Sequence, residues 1–145
     1  MTEPYRVWRR AGFVISTDPA ATDLAQVCGF LASTYWAKDV PREVLEQSIR
    51  TALVYNLIDQ TSGRQVGFAR VVSDRARFAW LSDVFVLEAY RGQGLGAWLV
   101  QTVVDDPRLA PVGRFLLATA DAHGLYRRHG WQDAPAGRYM TLERR

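Results

Sequence analysis

Arg91-Gly92-Gln93-Gly94-Leu95-Gly96 stands between an apolar stretch, Trp80 to Leu87, and an amphipathic helical pattern that begins at Leu95. Strand, glycine-rich turn and helix in that succession make a junction suited to an anion. Glycines let the backbone turn sharply so that its N–H groups converge, and the partial positive charge at the start of the following helix favours a phosphate held there. Three readings are open at this point. A nucleoside-triphosphate loop requires Lys and then Ser or Thr after the last glycine, whereas the chain has Ala97-Trp98, so that reading fails. A dinucleotide fingerprint is nominally met by Gly92, Gly94 and Ala97, with Asp121 about where a ribose-binding acid belongs. The third reading is a tight connection with no ligand.

The surroundings of the junction weigh against the dinucleotide. Upstream, Val54 to Ile58, Gln65 to Val72 and Phe78 to Leu87 read as strands, separated by Thr61-Ser62-Gly63 and Asp74-Arg75-Ala76, which have turn composition. Connections this short make antiparallel neighbours, while the dinucleotide fold opens on a parallel sheet. Further upstream, Gly12 to Thr17 reads as a first strand, ended by Asp18-Pro19. Leu24, Val27, Cys28 and Leu31 then fall at i, i+3, i+4 and i+7, one apolar stripe on a helix. A loop from Ser33 to Val40 leads to a second helix, with Pro41 in its first turn and Leu45 and Ile49 facing inward. Downstream, Leu95, Trp98, Leu99, Thr102 and Val103 mark a helix that Asp106-Pro107 ends. Arg114 to Thr119 is a further strand, Asp121 to His129 a short helix stopped by Gly130 as a left-handed cap, and Tyr139 to Leu142 a last strand.

The 145 residues are expected to form one domain, 1–145, burying roughly 68% of the surface that the unfolded chain exposes. Nearly half the residues are apolar and 12% are aromatic, which excludes disordered and collagen-like classes. A net charge of +3 with scattered arginines gives no nucleic-acid groove. Arg9-Arg10 and Arg144-Arg145 read as solvated ends. No stretch approaches the roughly 20 apolar residues that span a bilayer, and no secretory leader is read at the N-terminus, so the expected location is cytoplasmic, with no membrane partner. Cys28 is the one cysteine and reads as a buried inert thiol. Two histidines without acidic or thiol ligand spacing give no metal site.

The segment Val84-Phe85-Val86-Leu87-Glu88-Ala89-Tyr90-Arg91-Gly92-Gln93-Gly94-Leu95-Gly96 resembles motif A of the GNAT (GCN5-related) N-acetyltransferase superfamily, with Arg91, Gly94 and Gly96 at its defining positions. Leu125-Tyr126-Arg127-Arg128-His129-Gly130-Trp131 resembles motif B, a Tyr followed four residues later by Gly and an aromatic. The order of elements read above is also that family's. One departure is Thr119, where many members carry Asn.

The resemblance implies an α+β fold in three layers: a mixed, mostly antiparallel sheet of six or seven strands, splayed between its fourth and fifth strands and flanked by about four helices. It implies acetyl-coenzyme A bound at the splay as the acetyl donor. The pyrophosphate would rest on backbone N–H groups from Arg91, Gly92, Gln93, Gly94, Leu95 and Gly96, and the pantetheine would pair with Val84, Phe85 and Val86 as an added strand. The implied reaction is transfer of the acetyl group to a primary amine, on a small molecule or an exposed protein amine, by direct attack in a ternary complex. Tyr126 is the best candidate acid for the leaving thiolate, with a ring packed in the core as the lesser reading. Asp83 is the candidate base, since it interrupts an apolar strand, and it can equally be a structural acceptor or an amine anchor. Tyr35, Trp36, Trp80 and His123 are candidate acceptor contacts, with Phe78 beside them. A homodimer is an open expectation. An acyl-coenzyme A sensor or scaffold of the same fold, without turnover, is the alternative function.

Overall fold

A computed structural model describes residues 4–144. Val7–Arg10 (β1) and Phe13–Ser16 (β2) form an antiparallel hairpin. Its two-residue turn, Ala11-Gly12, has φ of 43° and 89°, the left-handed pair that matches the twist of two joined strands. β1 was not foreseen, because the sequence reading starts the sheet at Gly12 and leaves Arg9-Arg10 outside it. An edge strand with mostly exposed side chains joins chiefly by backbone pairing, with only Trp8 packed against the core and Arg10 over the Trp98 ring, and leaves no period-2 apolar mark, while its arginines discourage further pairing.

Leu24–Leu31 (α1) starts at Asp23, whose carboxylate accepts from the Gln26 N–H, and buries Val27, Cys28 and Leu31 as expected. Arg42–Arg50 (α2) follows Pro41 and turns Leu45 and Ile49 inward. Leu53–Asp59 (β3), Arg64–Ser73 (β4) and Ala79–Val86 (β5) make the antiparallel meander. Leu95–Asp105 (α3) buries Leu95, Leu99, Val100 and Val103. Phe115–Leu116 (β6) and His123–Arg128 (α4) follow, with Gly130 in the left-handed region at φ 92°.

The sheet runs β1-β2-β3-β4-β5-β6, antiparallel except for the parallel β5–β6 pair. α1 and α2 pack on one face, where Val27, Leu31, Leu45 and Ile49 meet Val54, Phe68 and Phe85. α3 packs on the other, where Leu99 and Val103 meet Ile15, Tyr55, Leu57, Val71 and Leu81. The expected three-layer mixed sheet is thus formed, with six strands and four α-helices among the described residues.

Two expectations are corrected. The strand read over Arg114 to Thr119 shortens to β6, and Tyr139 to Leu142 form no strand, leaving Met140 and Leu142 almost fully exposed. An alternating tail becomes a strand only where an edge receives it, and a two-residue β6 offers almost none.

Two close approaches stabilise the sheet. At Gly67, opposite Leu57, a Cβ would lie 2.8 Å from Leu57 Cδ2 and 2.9 Å from the Phe85 carbonyl oxygen. Gly67→Ala is therefore expected to cost about 1–3 kcal/mol; a urea midpoint equal to wild type would show that the strands part there freely. Beneath α3, the buried Tyr55 hydroxyl donates to Asp106 Oδ2 at 2.7 Å, and Arg108 Nη2 reaches the same oxygen at 2.7 Å. Burial pushes the Asp106 carboxyl up, but hydrogen bonds from Arg108 and Tyr55 outweigh it and leave the group below its ordinary value.

Candidate active site

β6 stays with β5 for two residue pairs, Ala79↔Phe115 and Trp80↔Leu116, and then departs. Beyond Trp80, β5 continues to Val86 without β6 beside it. The cleft opened there has a volume of about 680 Å³. Its floor is Val84, Phe85 and Val86, one end is the glycine junction with the first turn of α3, and its walls are Tyr35-Trp36 from the α1–α2 loop and Tyr126 from α4.

At the junction, Gly92 and Gly94 have φ of 83° and 78°, where a side chain would cost roughly 1–2 kcal/mol. Gly94 caps α3 with no side chain of its own, and the first intrahelical bond from this turn runs from Trp98 N–H to the Gly94 carbonyl at 3.0 Å. The amides of Leu95, Gly96 and Ala97 therefore lack intrahelical acceptors at a helix start, where partial positive charge gathers. Arg91 Nε donates to the Val86 carbonyl at 2.9 Å, tying the junction to the end of β5. Gln93 does not line the cleft; its side-chain amide donates to the Tyr90 carbonyl at 3.3 Å.

β4 and β5 change register between Phe68↔Phe85 and Arg70↔Ser82, so that β5 carries one residue more than β4. Asp83 sits in that bulge at φ 55°, a backbone state that Asp tolerates better than most residues. The residue is 7% exposed. Oδ2 accepts from Arg70 Nε at 2.7 Å, Oδ1 accepts from the Trp36 indole N–H at 2.8 Å, and Arg70 Nη2 donates to Ser82 Oγ at 3.2 Å. Both oxygens are engaged, and through Trp36 they hold the α1–α2 loop against β5. Arg70 was not singled out from the sequence, although a charged residue inside the apolar run from Gln65 to Val72 was a signal for a buried partner.

Tyr126 is half-buried, edge-on to Trp131 with ring centroids 5.6 Å apart. Burial, and secondarily Tyr35, pushes its hydroxyl up from the ordinary phenol value. Tyr35 spans the splay: its hydroxyl accepts from the Ala120 N–H at 3.1 Å, and its ring meets Trp36 edge-on at 5.1 Å. Thr119 Oγ1 accepts from the Ala122 N–H at 3.1 Å and so braces the start of α4. Phe30 and Tyr90 also line the cleft, and neither was read from the sequence as a site residue. Tyr90 is fixed by donating its hydroxyl to Asp59 Oδ2 at 2.9 Å.

The other residues singled out from the sequence lie elsewhere. His123, the first residue of α4, is exposed and outside the cleft lining. Trp80 and Phe78 line a second cavity at the β4–β5 turn. Cys28 is buried on α1, and burial raises its thiol above the ordinary value, which disfavours the nucleophilic thiolate.

Residues 50–133 match the sequence model of the acetyltransferase (GNAT) domain. A Gibberella zeae protein named as an acetyltransferase is 28% identical over 145 residues, covering 87% of this chain and 81% of its own length. A crystal structure of a GNAT-family protein from Xanthomonas campestris pv. campestris is 42% identical with a TM-score of 0.79, covering 84% of this chain and 85% of that one. A GNAT-family acetyltransferase from Elizabethkingia anophelis, solved with acetyl-CoA bound, shares the fold with a TM-score of 0.67 at 15% identity, covering 87% of this chain and 80% of that one. With the domain match spanning more than half of its residues, the chain belongs to the GNAT acetyltransferase family.

Proposed function

We propose that the protein transfers an acetyl group from acetyl-coenzyme A to a primary amine by direct attack in a ternary complex. The observation that carries this reading is the juxtaposition, in one cleft, of a stretch of β5 at Val84 to Val86 that has no β6 strand beside it with an amide cradle from Gly92 to Ala97. The first suits the amides of a pantetheine arm, the second a pyrophosphate, and the Elizabethkingia anophelis relative is one that holds acetyl-CoA.

The bound thioester supplies the activated acyl group. The chain's own groups do the rest. A main-chain N–H of β5 near Val84 stabilises charge developing on the carbonyl oxygen. As the C–N bond forms and the C–S bond breaks, the Tyr126 hydroxyl gives its proton to the sulfur, and the amine's proton leaves through water. An alkylammonium with a pKa near ~10 must lose a proton before attack. Asp83, with both oxygens occupied, positions the acceptor wall through Trp36 and is not the base in this reading.

The test is thiol release from acetyl-coenzyme A across a panel of amines. Amine-dependent release is the expected result; tight coenzyme A binding without it would favour a non-catalytic acyl-coenzyme A binding domain. The cradle makes a further prediction. Gly94→Val forces a β-branched side chain into the left-handed region and should weaken coenzyme A binding roughly tenfold or more. Arg91→Ala leaves the amides in place and should weaken it less. Calorimetric titration giving the reverse order would mean that the guanidinium, and not the backbone, carries the phosphate.

A further inference from the structure

A second cavity, about 710 Å³ in volume, opens where β5 and β6 are still paired. Phe78, Trp80, Leu116 and Tyr139 line it with aromatic and aliphatic surface, and Arg77 and Arg114 stand at its rim. Its size is that of a small-molecule pocket. It lies on the face of β5 that leads to the bulge: Trp80 and Ser82 alternate on this face, Arg70 sits across from Ser82, and Asp83 follows. At about 3.3 Å per strand residue, Phe78 is on the order of 15 Å from Asp83 along the strand.

The charges around this groove are unequal. Among the described residues, neither Arg77 nor Arg114 makes an ion pair or a side-chain hydrogen bond. Asp74, the one acid in the lining, directs Oδ1 back to the amides of Ala76, Arg77 and Phe78 at 2.9, 2.8 and 3.2 Å. Asp83 is neutralised by Arg70 at 2.7 Å. The groove thus offers aromatic walls and two unspent guanidinium groups against the single Asp74 carboxylate, whose Oδ1 is held by backbone amides, a balance that suits an anion better than a cation.

We propose that this groove holds the acceptor and that the acceptor is an anionic amine with an apolar body. Its amino group lies at the Asp83 bulge, its apolar part against Trp80, and its carboxylate at Arg77 and Arg114. A length of about four extended residues covers that distance, so a short peptide with a free N-terminus, an aromatic residue and an acidic end meets the description. Polyamines and cationic protein tails do not. This inference rests on the acetyl transfer proposed above.

The probes are the peptide Ala-Phe-Gly-Glu, its carboxylate-free counterpart Ala-Phe-Gly-Gln-amide, and spermidine, each titrated calorimetrically into the full chain loaded with coenzyme A and each assayed for thiol release with acetyl-coenzyme A. The acidic peptide should bind at least roughly tenfold more tightly than the amide. The exposed double replacement Arg77→Gln with Arg114→Gln should bring it down to the amide's level, and Trp80→Ala should weaken both peptides. Tighter binding of spermidine, or a preference for the acidic peptide that survives the double replacement, overturns the inference. Thiol release with spermidine and not with the acidic peptide also overturns it while sustaining acetyl transfer. Binding of the acidic peptide without thiol release from any amine upholds the ligand class and removes the transfer.

Discussion

Tyr126→Phe should lower amine-dependent thiol release by about 10²-fold or more, the range for loss of a positioned acid, with coenzyme A affinity near wild type. The substitution keeps the ring, its half-buried position and its edge contact with Trp131. Only the hydroxyl is lost, and among the described residues that hydroxyl makes no hydrogen bond within the protein. Stability should therefore hold, and a fall in rate reads as chemistry. Burial raises the hydroxyl's pKa above that of an ordinary phenol, so the group stays protonated through neutral pH and can act as an acid there. Its deprotonation should limit the rate only above the ordinary phenol pKa near ~10. An unchanged turnover number would remove Tyr126 from the mechanism.

The largest loss of stability is expected at Asp106→Ala, about 3–5 kcal/mol, the usual effect of removing one partner from a buried charged pair. The replacement leaves the Tyr55 hydroxyl without its acceptor deep in the core and Arg108, only 14% exposed at its side chain, without its carboxylate. It also removes the acceptor for the Arg108 N–H at the turn after α3. A melting temperature lowered by roughly 10 °C would accompany such a loss. The native carboxyl lies below its ordinary value, so its contribution is complete above the unfolded value near ~4 and is lost as pH falls through the lower native one. Asp106→Ala should remove that part of the acid dependence. A thermal scan in which the variant matches wild type at pH 7 would show that the triad contributes nothing net.

The sequence disclosed those parts of the molecule whose physics is local. Val27, Cys28 and Leu31 mark α1 through helical spacing, the short turns between β3, β4 and β5 force antiparallel pairing, and Gly92 and Gly94 announce a left-handed junction. What escaped depends on partners far along the chain. β1 is held by backbone pairing that its side chains do not advertise. The pairing of Asp83 with Arg70 and Trp36 joins residues 13 and 47 positions away, so Asp83 stood out in the sequence as a lone carboxylate in an apolar strand. Trp80 lies where β5 and β6 are still paired and so lines the neighbouring groove, while His123 is exposed at the start of α4, outside the cleft lining. The tail from Tyr139 has the alternation of a strand without an edge to join.

The extra residue at Asp83 has a consequence that reaches past its own side chain. Before it, odd-numbered residues of β5, Ala79 and Leu81, face α3; after it, Phe85 faces α1 and α2 while Val86 faces α3. The strand is two half-strands in opposite phase, and one residue marks where the phase inverts. Changing the strand's length by one at that place would exchange the layers to which Phe85 and Val86 belong, moving a ring out of one core and into the other. The count of residues from Ala79 to the glycine junction is therefore constrained in parity. Chemistry at the bulge can vary by substitution, but not by insertion or deletion of a single residue.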